Sequence, residues 1–178
     1  GKMSAIDQTL ELEREFAEWH GVDYALACNN GTASLHSAMF GCGVGVGDEI
    51  ICQSLTIWSS ALPALNLGAT VVFADVDPET MTLDPADVER KITDRTKAII
   101  VVHYFGYPAD MDAIMDIAGK HGIPVIEDVA QAFGATHQGR PAGSFGRMAC
   151  FSMNPMKVFR GYGEAGAVVT DDEPLRDR

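Results

Sequence analysis

Hydrophobic positions along this chain follow two rhythms, and the switches between them sketch a fold. From Ser4 to His20, Leu12, Phe16 and Trp19 share one face while Glu11, Glu13, Arg14 and Glu15 stay wet, which predicts an amphipathic helix closed by Gly21. Tyr24 to Cys28 is a short apolar run of strand length. Asn29-Asn30-Gly31-Thr32 then opens a second helix, where Leu35, Ala38, Met39 and Cys42 keep the i, i+3, i+4, i+7 spacing. Glycines 41, 43, 45 and 47 end that helix, and Glu49 to Cys52 reads as a strand. The glycine run follows a helix and precedes a strand, the reverse of a dinucleotide-binding fingerprint, so it reads as a flexible loop.

Further on, Thr56 to Leu67 reads as a helix ended by Gly68, Thr70 to Ala74 as a strand, and Asp75 to Pro78 as a turn. Asp84-Pro85 supplies a cap and a first helical residue for a helix to Ile92. Lys97 to Val102 is a β-rich apolar run. Asp110 caps a helix with Met111, Ile114, Met115 and Ala118 on one side and Gly122 after it. Ile123 to Glu127 is the next strand, and Gln138 to Gly146 a glycine-rich excursion. Met148 to Thr170 reads as a buried strand, a polar loop carrying Lys157, a glycine-rich loop and a second strand. Asp171 to Arg178 looks like the start of another helix. Strands apolar on both faces, alternating with helices, predict an α/β three-layer sandwich around a mainly parallel sheet of about seven strands.

Composition narrows the function. The chain has 178 residues, 47% of them hydrophobic, enough for one sizeable core and one domain over residues 1–178. Its formal net charge is -12 and its basic residues are scattered, which argues against nucleic acid as a partner. A small anion remains possible, because backbone N–H groups bind one locally. Cys28, Cys42, Cys52 and Cys150 form no C-x-x-C pair and read as buried free thiols of a reducing compartment. No secretory signal and no long uncharged apolar run is present, so a soluble, cytoplasmic protein away from membranes is expected. His20, His36, His121 and His137 show no metal-ligand spacing with each other, and no metal is expected.

In such a sheet ligands collect at the carboxyl ends of the strands. Three features fall there. Asn30-Gly31-Thr32-Ala33 is a strand-to-helix junction, either a plain N-cap or a phosphate site to which the Thr32 hydroxyl adds a hydrogen bond. Ile126-Glu127-Asp128, followed by Ala130-Gln131, ends a buried strand in two carboxylates. A buried acid needs a partner, and a protonated pyridine nitrogen would suit Asp128; a surface acid or helix cap is the plainer alternative. Ser152 ends a strand and could bind phosphate, while Lys157 could bind an aldehyde, since a desolvated amine is a nucleophile. A lone loop lysine is more often a solvated charge, but an amine, an acid and an anion cradle together are what a pyridoxal phosphate site requires. His103 and Tyr104 end a strand and could line the pocket, with satisfied structural residues the plainer reading, and Glu164 could approach the active site of either subunit.

The segments YALACNNGTASL, DEIICQSLTIWSSALPALNLGATVVFADVD, TKAIIVVHYFGYPADMDAI, GIPVIEDVAQAFGA and FSMNPMKVFRGYGEAGAVVT resemble, in order and spacing, the DegT/DnrJ/EryC1/StrS family of pyridoxal phosphate-dependent sugar aminotransferases. The resemblance runs from about Leu10 to Thr170. It implies fold type I, with residues 1–178 as the cofactor-binding large domain of a longer protein whose C-terminal small domain is missing here. Residue by residue, it implies Lys157 as the Schiff-base lysine and Asp128 as the acid paired with the pyridine nitrogen. Gln131 falls beside the ring and its phenolic oxygen, and Gly31, Thr32 and Ser152 fall at the phosphate. The family usually places an aromatic residue directly after the Thr of its S-x-T motif to stack on the ring. Here that position is Ile57 and Trp58 comes next; either Trp58 stacks through a local shift, the favoured reading, or Ile57 packs on the ring and Trp58 is core.

The resemblance further implies transfer of an amino group from an amino acid, typically glutamate, to a keto sugar nucleotide, in a homodimer with shared active sites. Two other functions stay open. One is a sugar dehydratase of the same family, whose members replace the lysine with His, against which Lys157 argues. The other is a non-catalytic regulatory or binding protein on the same fold.

Overall fold

The computed structural model describes residues 4–177; residues 1–3 and Arg178, the last residue of the expected C-terminal run, lie outside them. The chain order is α1 (Ala5–His20), β1 (Tyr24–Cys28), α2 (Gly31–Gly41), β2 (Glu49–Gln53), α3 (Leu62–Asn66), β3 (Thr70–Ala74), α4 (Pro85–Lys91) and β4 (Thr96–Val102). Then follow α5 (Met111–His121), β5 (Val125–Asp128), β6 (Thr136–His137), β7 (Arg140–Pro141), β8 (Met148–Ser152), β9 (Gly166–Thr170) and α6 (Glu173–Arg176).

Seven strands form one sheet in the order β1-β9-β8-β5-β4-β2-β3. Only β9 runs against its neighbours, pairing antiparallel with β1 and β8; the remaining pairs are parallel. Strands covered on both faces must be apolar on both, and β2, β5 and β9 are buried at every position. On one face Ile50, Cys52, Ile100, Ile126 and Cys150 pack against Leu35, Ala38 and Met39 of α2 and Ala64 of α3. On the other, Ile51, Ile99, Val101 and Val125 pack against Val88 of α4 and Ile114 and Ile117 of α5, while Phe16 of α1 packs on Phe151 and Val169. The result is the three-layer α/β sandwich expected from the pattern.

Local chemistry sets the element ends. Ser4 caps α1 through a reciprocal pair with Asp7, and Gly21 closes it in the left-handed conformation. Asp84 and Asp110 cap α4 and α5 as the sequence suggests. Other expectations are corrected. On α1, Trp19 is 62% exposed and stacks on Phe133, while His20 takes the buried place, its Nδ1 bonded to the Phe16 carbonyl. Glu13 is not wet but half-buried, accepting the Ala27 N–H at 2.8 Å. The helix expected over Thr56 to Leu67 is broken: a single 3₁₀ turn spans Trp58–Ser60, and α3 starts only at Leu62. Pro63 lacks an N–H and so belongs in a first helical turn, and Ile57 is extended at φ -79°, ψ 142°. The strand expected from Ile123 starts at Val125, because the Ile123 N–H still caps α5 on the Ala118 carbonyl and Pro124 follows. The glycine-rich excursion supplies β7, which pairs with β6 just before it in a small hairpin.

Candidate active site

A cavity of about 440 Å³ opens at the carboxyl ends of β1, β2, β4, β5 and β8. It is lined by Gly31, Thr32, Trp58, Asp128, Gln131, Ser152 and Lys157, so every residue that the family resemblance puts at the cofactor borders one space. The sheet order explains this. β8 lies beside β5, and β1 is separated from β8 only by β9, so segments more than a hundred residues apart end at one edge.

At one end is the N-terminus of α2. Asn30 Oδ1 accepts the Ala33 N–H at 2.8 Å and the Asn30 carbonyl accepts the Ser34 N–H. The N–H groups of Gly31 and Thr32 therefore have no acceptor within the helix, and point where a helix start attracts anions. Close approach makes this possible. A Cβ on Gly166, which pairs with both Cys28 and Ser152, would come within 2.6 Å of the Asn30 carbonyl, so only glycine lets β9 pass under the helix start. Asn30 is thus a cap, and the capping leaves the two preceding donors for a ligand.

At the centre is Asp128, 5% exposed and pointing to the cavity face of β5. Its Oδ2 accepts the Ser60 hydroxyl at 2.7 Å and its Oδ1 the Ala130 N–H at 3.1 Å. Burial pushes its carboxyl above the ordinary range, against the opposing pull of those two donors and of Lys157. Gln131 is held by the Phe105 N–H, which donates to its Oε1 at 3.0 Å. Lys157 is half-buried in a turn closed by its own N–H on the Asn154 carbonyl at 2.8 Å. Asn154 in turn donates to Glu164, which lines the cavity too. Cys150 also lines the space, but burial and then the nearby Asp128 charge push its thiol well above its ordinary value, so it stays protonated and offers no rival nucleophile. Ile57 and Trp58 both line the mouth, 44% and 66% exposed.

Ser60 and Asn154 were not found from sequence. Ser60 was hidden inside a supposed helix, and only the break before α3 turns it towards Asp128. Asn154-Pro155 is a turn signal directly after the strand, which could have marked Asn154. Of the other histidines, His103 is fully buried and hydrogen-bonded. His137 meets Asp110 and Asp112, their ligand atoms within 4.8 Å of one another, a group invisible in histidine spacing alone. None of the three lines the cavity, and Asp112 Oδ2 is already bonded by His137 and Gln138.

The donors fit a pyridoxal phosphate: an amine for the aldehyde, a buried carboxylate lacking a fixed cationic partner for the ring nitrogen, and helix-start N–H groups beside Thr32 and Ser152 hydroxyls for the phosphate. A mostly parallel seven-stranded sheet with this donor set at its carboxyl edge matches the class of pyridoxal phosphate-dependent aminotransferases. Within that class, this chain belongs to the DegT/DnrJ/EryC1/StrS aminotransferase family, whose model matches residues 1–178.

The GDP-perosamine synthase of Caulobacter vibrioides is 47% identical, over 93% of this chain and 44% of that one. The pleiotropic regulatory protein of Geobacillus stearothermophilus is 41% identical, over 97% and 46%. The chain thus spans less than half the length of these curated relatives. The solved aminotransferase from Psychrobacter cryohalolentis matches with a TM-score of 0.92 at 44% identity, over 94% of this chain and 42% of that one. Two further structures bear on chemistry. One is the Bacillus subtilis protein ntda with bound cofactor PMP (TM-score 0.89, 31% identity, 94% of this chain and 38% of that one). The other is a GDP-4-keto-6-deoxymannose-3-dehydratase (0.88, 31%, 94% and 45%). Pyridoxal 5'-phosphate is the cofactor of the family.

Proposed function

We propose that residues 1–178 are the cofactor-binding large domain of a sugar aminotransferase, moving an amino group from an amino acid, with glutamate the leading donor, to a keto sugar nucleotide. The observation that carries the reading is the convergence of Lys157, Asp128 and the start of α2 on one cavity. When bound, the cofactor supplies an electron sink that stabilises a substrate carbanion. In this reading Lys157 Nζ would hold the cofactor's aldehyde and would take up and return a proton as general base and then acid. The Asp128 carboxylate would keep the ring nitrogen protonated; its burial, costly alone, favours a cationic partner. Ser60 fixes the direction of that carboxylate. The Gly31 and Thr32 N–H groups and the Thr32 and Ser152 hydroxyls would hold the phosphate, and Gln131 and Trp58, which line the same cavity, would contact the ring.

No helix among the described residues is long and apolar enough to cross a membrane. Cys28, Cys52 and Cys150 form no disulfide among the described residues, which suits a reducing cytoplasm. We place the partner-facing side of a homodimer at exposed apolar residues by the cavity mouth, Trp58 and Met156, which line it, and Phe105 and Val158 of the adjoining pocket, all at least 66% exposed.

A regulatory, non-catalytic role is the second reading, favoured by the regulatory relative. A dehydratase is disfavoured by Lys157. The deciding experiment assays full-length protein against a panel of keto sugar nucleotides with glutamate as donor and product mass as readout. Aminated product is expected; a wild type that stays colourless with added cofactor would support the regulatory reading.

A further inference from the structure

We propose that Glu127 is a positioning residue: acting through His103 from the far face of the sheet, it sets the places of Asp128 and Gln131. The inference rests on the cofactor reading above and concerns how that site is held in shape.

Side chains alternate along a strand, so Glu127 points away from the cavity that Asp128 faces. It is fully buried. Four donors converge on it: the N–H groups of Phe145 and Gly146 at Oε1 (2.7 and 2.6 Å), and the Gly143 N–H and His103 Nε2 at Oε2 (2.7 and 2.9 Å). His103 Nδ1 accepts the Ala109 N–H at 3.2 Å, so the ring proton belongs on Nε2, facing Glu127. The main-chain N–H of the same His103 donates to the Asp128 carbonyl at 3.1 Å. One residue therefore joins the Glu127 carboxylate to the Asp128 backbone. Two residues on, Phe105 sits at φ 52°, a conformation that a bulky residue avoids unless its surroundings impose it, and its N–H holds Gln131. The turn from His103 to Gly106 thus leans on Glu127 at one end and carries a donor to Gln131 at the other. Beneath it, Glu127 also gathers the loop from Gly143 to Gly146. Of the four donors, His103 follows the carboxyl end of β4 beside the cavity, while Gly143, Phe145 and Gly146 lead into the amino end of β8.

Two substitutions at His103 separate positioning from bulk stability. In His103→Asn the side-chain oxygen can still accept the Ala109 N–H, but nothing reaches Glu127. In His103→Gln the amide nitrogen reaches where Nε2 did, restoring the link. With full-length holoenzyme, His103→Asn is expected to weaken the visible circular dichroism of the bound cofactor and to lower kcat about tenfold to a hundredfold, with KM for the amino donor little changed. His103→Gln is expected to recover most of both. Should the Asn variant fail to fold, Glu127→Gln, compared with wild type by the same two readouts, is expected to show the same loss. A purely structural role would lower the melting temperature while leaving the dichroism and kcat as in wild type, and that result overturns the proposal. So does a Gln variant no better than the Asn variant. A wild type with no visible band at all would instead overturn the cofactor reading itself.

Discussion

Gly31 at the start of α2 lies so close to Ser152 at the end of β8 that a Cβ on the glycine would sit 2.6 Å from the Ser152 Cβ and 3.1 Å from its Cα. The contact presses the helix start, with its free N–H groups, against the strand that leads to Lys157. It ties the proposed phosphate cradle to the proposed amine through two residues that are 121 positions apart (152 - 31).

Gly31→Ala should therefore overpack the junction. The expected net cost is about 1–2 kcal/mol, overpacking less the better helix propensity of alanine. Cofactor affinity should fall with it. Ser152→Gly removes the opposing Cβ, so the double variant should recover stability, with a coupling of at least about 0.5 kcal/mol in denaturant titrations. Strict additivity would show that the two residues do not strain each other.

Lys157→Ala in the full-length protein should abolish the visible absorbance of the bound cofactor and reduce turnover by orders of magnitude, because no other amine lines the cavity among the described residues. Absorbance spectra and single-turnover assays check this. A normal visible band in the variant would remove Lys157 from its role.

Asp128→Asn should keep cofactor but lose about a hundredfold or more in turnover, the loss expected for an electrostatic group aimed at developing charge. The cofactor-free protein should behave differently. Burial raises the Asp128 carboxyl, so its ionisation is disfavoured in the folded state, and stability falls as pH rises from the ordinary value of 3.8 through the folded one. The Asn variant lacks that penalty and should be at least as stable as wild type at pH 7 without cofactor. Thermal unfolding at pH 4 and pH 7 measures the difference.

Ser60→Ala removes a donor that holds the Asp128 carboxyl down, so the carboxyl should rise further. The stability cost should be about 1 kcal/mol. The telling readout is the pH profile of unfolding in cofactor-free protein, whose decline should extend to higher pH than in wild type.

Glu127 carries the opposite sign. Burial would raise its carboxyl, but His103 and the N–H groups of Gly146 and Gly143 outweigh it and hold it below the ordinary value of 4.5. That stability is present above pH 4.5 and is lost as pH falls through the folded value. Acid unfolding of wild type should begin below about pH 4.5, and Glu127→Gln should flatten that part of the curve, as followed by far-UV circular dichroism.

The sequence by itself determined the layers and most of the element ends. Caps at Asp84 and Asp110 and the closing glycines 21 and 122 act within a few residues, so their physics is local and readable along the chain. Apolar runs on both faces of β2, β4 and β5 likewise require helices above and below. The site residues were legible as types at strand ends, with Lys157, Asp128 and Gly31 each ambiguous alone. Tertiary structure decided the rest. Strand order put β8 next to β5 and left only β9 between β8 and β1, and that order is fixed by packing between segments distant in sequence. Ser60 became a partner of Asp128, 68 residues away, only because the chain breaks before α3. His103 became a link between Glu127 and the Asp128 backbone for the same reason: hydrogen bonds across strands depend on register, and no local pattern encodes register between strands so far apart.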